Sequence, residues 1–195
     1  IALLLLAVTG GSSVLGAEEV ATFAGGCFWC MEEAFEKVDG VREVVSGYTG
    51  GTVQDPTYRQ VSSGRTGHTE AVQIYYDEEQ VSYEELLHIF WRNIDPLDAG
   101  GQFCDRGSQY RPGIFYHDEQ QRLLARASKQ ELEESDRFGR EIVTEVTELD
   151  EFYEAEGYHQ DYYEKNPGRY SLYKSACGRV RRLEQLWGAE AGGGV

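Results

Sequence analysis

The sequence predicts a mixed α/β fold of the α+β kind: a ferredoxin-like plait, built as a split βαβ unit, with an added helix and strand and an irregular C-terminal tail. Three observations predict it. Apolar residues repeat with strand and helix periods in the order strand, helix, strand, strand, helix, strand. Gly- and Asp-rich stretches punctuate those segments. The 195 residues are 41% apolar and 27% charged, an ordinary composition for one domain with its own core.

Each element has its own warrant. Val20 to Ala24 is a short strand that ends on Gly25-Gly26. Cys27 to Val38 places Met31, Ala34, Phe35 and Val38 at helical spacing, and Gly40 stops it. Val41 to Tyr48 reads as a strand, followed by a Gly-rich loop through Gly51 and Pro56. Thr66 to Asp77 carries Ala71, Val72, Ile74, Tyr75 and Tyr76, another strand. Ser82-Tyr83-Glu84-Glu85 is a capping box that opens a helix through Leu86, Leu87, Ile89, Phe90 and Trp91.

A Gly/Asp-rich loop covers Asp95 to Ser108, and Gly113 to His117 is the fourth strand of the plait. Asp118 to Arg137 is a charged amphipathic helix, and Ile142 to Leu149 alternates like a strand. The tail from Glu151 is rich in Tyr, with short helical pieces and a turn at Asn166-Pro167-Gly168. Gly192 to Val195 is expected to be disordered.

Net charge is −16, from 34 acidic and 18 basic residues, with no long basic stripe. Such a surface repels a phosphate backbone, which argues against nucleic-acid binding. Residues 1–16 are a short apolar run followed by small residues, too short to span a bilayer. They read as the remnant of a secretory signal, with residues 17–195 as one domain. The expectation is an exported, periplasmic monomer that touches a membrane only if that segment is left uncleaved.

Four cysteines remain: Cys27, Cys30, Cys104 and Cys177. In an exported chain they could form two disulfides in any of three pairings, but a chain of this length does not need staples to fold. Reactive chemistry is the competing reading, and Gly25-Gly26-Cys27-Phe28-Trp29-Cys30 is its strongest signal. Paired glycines permit a tight turn and close approach of a ligand. Cys27 then lies at the first turn of a helix, where orphan amides and the helix dipole favour a thiolate. Cys30 is one helical turn further on, within reach of Cys27. Zinc would want a second close cysteine pair, and Cys104 and Cys177 are isolated, so no metal is expected. A general thiol–disulfide oxidoreductase using Cys27 and Cys30 stays open, as does a non-catalytic exported domain with structural disulfides.

Gly26-Cys27-Phe28-Trp29 resembles the signature of A-type peptide methionine sulfoxide reductases. Ser46-Gly47-Tyr48-Thr49-Gly50-Gly51, Pro56-Thr57-Tyr58, Ser63-Gly64-Arg65-Thr66-Gly67-His68-Thr69-Glu70, Asp105-Arg106-Gly107-Ser108-Gln109-Tyr110-Arg111 and Tyr158-His159-Gln160-Asp161-Tyr162 resemble the same family, in order. The resemblance implies reduction of the S epimer of methionine sulfoxide, free or in peptides and proteins, as a repair of oxidised methionine. It implies no bound cofactor, and thioredoxin or an equivalent dithiol as electron donor.

By that resemblance Cys27 is the nucleophile and Glu70 the acid, its proton held by burial. Phe28 and Trp29 wall in the substrate methyl. Tyr58 and Tyr110 bond the sulfoxide oxygen or Glu70, and Asp105 helps hold the substrate backbone or ordered water. His68 and His159 are scaffold, with a base role as the alternative. The chain departs from the family's commonest pattern, which has Gly in place of Cys30 and resolving cysteines in a Gly-rich tail. Cys30 is therefore the first choice for resolving the Cys27 sulfenic acid and Cys177 the second; Cys104 is left in a disulfide with Cys177 or inert.

Overall fold

The computed structural model describes residues 18–193; the segment read as a signal remnant lies outside the described residues. Strand β1 (Glu18–Ala24) leads into helix α1 (Phe28–Glu36), strand β2 (Val41–Thr49), short helix α2 (Tyr58–Ser62), strand β3 (Thr69–Asp77) and helix α3 (Tyr83–Arg92). A two-residue ribbon follows, β4 (Gly101–Gln102) with β5 (Asp105–Arg106), and then a 3-10 turn at Ser108–Tyr110. Strand β6 (Gly113–Tyr116), helix α4 (Glu119–Glu134) and strands β7 (Glu145–Glu148) and β8 (Phe152–Glu154) come next. Helices α5 (Tyr162–Lys165), α6 (Pro167–Ala176) and α7 (Arg179–Trp187) make up the tail.

The main sheet runs β7-β6-β1-β3-β2-β8. Its middle four strands, β6-β1-β3-β2, are mutually antiparallel and are joined as strand, helix, strand, strand, helix, strand. That is the split βαβ plait. The added strand β7 lies parallel to β6 across α4, and β8 extends the other edge on β2.

Strand β3 shows how the pleat sorts the sequence. Val72, Ile74 and Tyr76 point into one core with Met31 and Phe35 of α1 and Leu86 and Phe90 of α3. Ala71 faces the other way, onto a small cluster with Ala24 and Phe115. Side chains alternate with period two, so Glu70 falls on the helix face. Every fully buried aromatic or aliphatic side chain in that core contributes about 1.5–3 kcal/mol.

Local signals act where the sequence puts them. Ser82 accepts from the Glu85 amide (3.2 Å) while the Glu85 carboxylate accepts from the Ser82 amide (2.8 Å), which closes the capping box of α3. Asp118 proves to be the cap of α4, its carboxylate accepting from Gln121 N, and not the first residue of the helix. Helix α2 was not expected; its five residues are too few to show a period.

The tail is the larger correction. The expected helical pieces are there, but as three defined helices after β8, and Pro167 opens α6 rather than forming a turn. Proline suits the first helical position because its missing N–H would be unpaired there. Buried Arg179 pins the start of α7, donating to the carbonyls of Gly25 (3.3 Å) and Asn93 (2.6 Å). Trp187 at its end donates to Ile94 O. Gly192 and Gly193 are ordered as well: Gly192 N donates to Arg92 O at 3.0 Å, and a side chain at Gly193 would strike the Ile89 backbone. Gly194 and Val195 lie outside the described residues.

Candidate active site

Cys27 is the N-cap of α1, reached through Gly25 and Gly26. Both glycines sit in tight places, and Gly26 also needs a left-handed backbone. A side chain on Gly25 would overlap Met31 Sδ at 2.4 Å, and Gly26 has φ +83° with Gln102 Cβ 2.5 Å from where its own Cβ would be. Cys30 N donates to Cys27 O (3.1 Å), and the two side chains lie in one buried cluster with Tyr170. Both cysteines are free thiols, only 5% and 4% exposed.

The ionisation of this pair differs from what a helix terminus alone implies. Burial pushes the Cys27 thiol well up, aided by Cys30 and the Glu70 charge. Cys30 is pulled down to about 6, first by the hydrogen bond from Cys27 and then, against burial, by Arg179, Tyr170 and Lys174. The two shifts oppose one another: burial favours the neutral thiol at Cys27, and the hydrogen bond and nearby cations favour the thiolate at Cys30. The first helix amide, Phe28 N, is already spent on Glu70 Oε2 at 3.1 Å.

Glu70 is 2% exposed, and burial raises its carboxyl to about 8; the Phe28 amide opposes this, while Asp105 and Cys30 add to it. It is protonated at neutral pH. Oε2 takes the Phe28 amide, and Oε1 has no protein partner among the described residues. Tyr58 and Tyr110 feel its field: burial first, and then the Glu70 charge, raise both phenols.

The aromatic wall is built from both ends of the chain. Trp29 stacks on Tyr162 with centroids 3.7 Å apart and planes 8° apart, and Trp29 Nε1 donates to His159 Nδ1 at 3.3 Å. Phe28 packs between Tyr48 and His159. The segment carrying His159 and Tyr162 is held by buried Glu32, whose Oε1 accepts from Asp161 N (3.0 Å) while Asp161 turns through φ +51°. His68 accepts from Gly51 N and bonds Val53 O, so both of its ring nitrogens are used in holding loops.

The structure thus brings Cys27, Cys30, Phe28, Trp29, Tyr58, Glu70, Asp105 and Tyr110 to one place. It adds residues that sequence reasoning missed. Glu156 bridges Tyr48 OH and Tyr58 N, both at 2.9 Å. Helix α6 packs Tyr170 and Tyr173 against the two thiols: Tyr173 donates to Asp105 Oδ2 and Tyr170 to Glu33 Oε2. Their signal in the sequence was helical spacing just after Pro167, hidden by reading that proline as a turn.

Cys177, at the end of α6, is disulfide-bonded to Cys104, which leaves Cys27 and Cys30 as the free pair. Among the described residues two groups have ligand-type side chains close enough for a cation. In Cys104–Asp105–Cys177 both sulfurs are spent on their own bond. In Glu32–Glu36–Asp161 the Lys165 ammonium already sits on Asp161 at 2.9 Å.

Such an arrangement can hold a small polar group between a proton donor and a thiol against an aromatic wall. The profile of the family described as peptide methionine sulfoxide reductase matches residues 19–191. The peptide methionine sulfoxide reductase MsrA of Bacillus subtilis (strain 168) is 54% identical over 173 residues, 89% of this chain and 98% of that one. The reduced form of Mxr1 from Saccharomyces cerevisiae superposes with a TM-score of 0.73 at 31% identity, covering 77% of this chain and 87% of that one. Mxr1 in complex with Trx2 shares the fold, with a TM-score of 0.53 at 22% identity over 80% of this chain and 91% of that one.

Proposed function

The chain belongs to the peptide methionine sulfoxide reductase family, and from that premise we propose how its residues divide the work. The reaction is thiol-dependent reduction of methionine S-sulfoxide to methionine. Substrate enters when Tyr173 yields its place on Asp105, and the sulfoxide methyl lies along Phe28 and Trp29. The oxygen meets Glu70, Tyr58 and Tyr110. Cys27 passes its proton to the Cys30 thiolate and attacks the sulfoxide sulfur, while Glu70 protonates the oxygen.

The electrons balance. The sulfoxide sulfur gains two electrons and Cys27 loses two; the oxygen ends on Cys27 as a sulfenic acid and methionine leaves. Cys30 then condenses with the sulfenic acid, releasing water and forming a Cys27–Cys30 disulfide. A thioredoxin-like dithiol is the donor that reopens it, supported by the existence of an Mxr1–Trx2 complex in the family. Free methionine sulfoxide is included as a substrate, since nothing in the wall requires a long peptide. Export to the periplasm completes the reading and rests on the composition of residues 1–16.

One observation carries the residue roles: a free dithiol, Cys27 with Cys30, buried beside a carboxyl that stays protonated near pH 7. The test is single-turnover reduction of separated S and R epimers of a methionine sulfoxide peptide, without added reductant, followed by a thiol count. S-selective release of methionine with loss of two thiols is expected. Methionine from neither epimer, with both thiols still reactive, would move the assignment to general thiol–disulfide exchange.

A further inference from the structure

A cavity of about 340 Å³ opens between α1, the end of α6 and α7. Cys30 lines it; Cys27, Glu70, Tyr58, Tyr110 and Asp105 do not. It therefore reaches the dithiol through the Cys30 side and leaves the sulfoxide pocket untouched.

Its charge is unlike the rest of the chain. Lys37, Lys174 and Arg179 face it against Glu33 and Glu184, an excess of one positive charge on a protein of net charge −16. Glu33 takes both ammoniums, Lys37 at 2.6 Å and Lys174 at 2.5 Å. Arg179 donates to the carbonyls of Gly25 and Asn93 and has no carboxylate partner among the described residues. Its charge is left to act on Cys30 and on whatever enters. The volume is at the small end of small-molecule sites, roughly 300–1,000 Å³, and far too small for a protein domain.

We propose that this cavity is a second entrance, through which a small thiol carrying carboxylates, about the size of a tripeptide, reduces the Cys27–Cys30 disulfide by attacking Cys30. The inference rests on the proposed function, in which turnover leaves that disulfide. The incoming thiolate forms a bond to Cys30 Sγ, the Cys27–Cys30 bond breaks, and its electron pair leaves on Cys27. A second thiol of the same class attacks the outer sulfur of the mixed disulfide. Cys30 departs as a thiolate, stabilised by Arg179 and Lys174, and the two small thiols leave joined as their disulfide. Two electrons enter, and Cys27 returns to the state that begins a cycle. Reduction by this route does not require α6 to lift from Tyr173's contacts.

The experiment oxidises the enzyme with one equivalent of S-sulfoxide peptide, records the methionine burst, and then follows the return of two thiols. The probes are glutathione (anionic), 2-mercaptoethanol (neutral) and cysteamine (cationic), compared per thiolate at low and high salt. Glutathione is expected to lead cysteamine by about tenfold at low salt, with the advantage shrinking as salt screens it. Lys174→Glu should abolish that lead. Val180→Trp, which fills the cavity from an exposed position on α7, should slow every small thiol while the burst persists. Peptide mapping of the quenched reaction should find glutathione on Cys30.

Equal rates regardless of thiol charge, indifference to Val180→Trp, or glutathione on Cys27 would each overturn the inference while leaving the reductase reading intact. Absence of the burst would instead remove the reductase reading on which it stands.

Discussion

The phenol of Tyr173 donates to the carboxylate of Asp105, one chain segment closing over another that is far away in sequence. The same side chain packs against the cluster of Cys27 and Cys30, and in the proposed mechanism it gives way before a sulfoxide reaches Cys27. Entry competes with that bond. Tyr173→Phe should lower KM for a sulfoxide peptide by about two- to tenfold, the worth of one net hydrogen bond. Steady-state kinetics checks it, and an unchanged or raised KM counts against the lid.

The rate of the chemical step should follow a bell in pH. The dithiol must have lost one proton, which Cys30 gives up near 6, and Glu70 must keep its own, which it holds to about 8. Single-turnover rates should therefore rise through about pH 6 and fall through about pH 8. Glu70→Gln should cost about a hundredfold or more and erase the alkaline limb. An alkaline limb that survives this substitution would take Glu70 out of the proton transfer.

Stability should fall as pH rises. Glu70 at about 8 and Glu32 at about 7, both raised chiefly by burial, hold protons more tightly folded than unfolded. For a carboxyl raised above its unfolded value, the folded state binds the excess proton between the two pKa values. Stability is then lost from about pH 4.5 upward and levels off once the folded group ionises. Melting temperatures should decline from about pH 5 to 6, below the range in which Cys30, held near 6, adds stability back as pH rises, and Glu70→Gln should reduce the slope. A flat or rising profile would contradict the raised carboxyls.

The cysteines should divide into two classes. Cys104–Cys177 closes a span of 73 residues and ties the end of α6 beside Asp105. Cys177→Ser should lose roughly 2–5 kcal/mol of stability yet still recycle Cys27. Cys30→Ser, which lacks the thiolate that takes the Cys27 proton, should release methionine once, more slowly, and stall with a sulfenic acid that dimedone labels. Normal recycling in that variant would mean that another thiol resolves Cys27.

Much of the scaffold was legible because its determinants are local. The Ser82–Glu85 box, the Gly25-Gly26 turn and the alternation along β3 each act within a few residues, and each can be read before anything packs. The trimmed ends show the limit of this reading. Ile142 to Leu149 alternates throughout, but only Glu145–Glu148 finds a partner along β6. Strand length is decided by the neighbour that supplies the hydrogen bonds.

By itself the sequence determined the order of the plait, the dithiol at the start of α1 and the motif residues that meet there. Only the tertiary structure decided that Cys104 pairs with Cys177 while Cys27 and Cys30 stay free, that the Phe28 amide holds Glu70 beside them, and that Tyr170 and Tyr173 cover the dithiol. Those facts depend on residues brought together from opposite ends of the chain. Burial and charge act through space, so the same Glu or Cys has an ordinary affinity for its proton in one surrounding and a strongly shifted one in another.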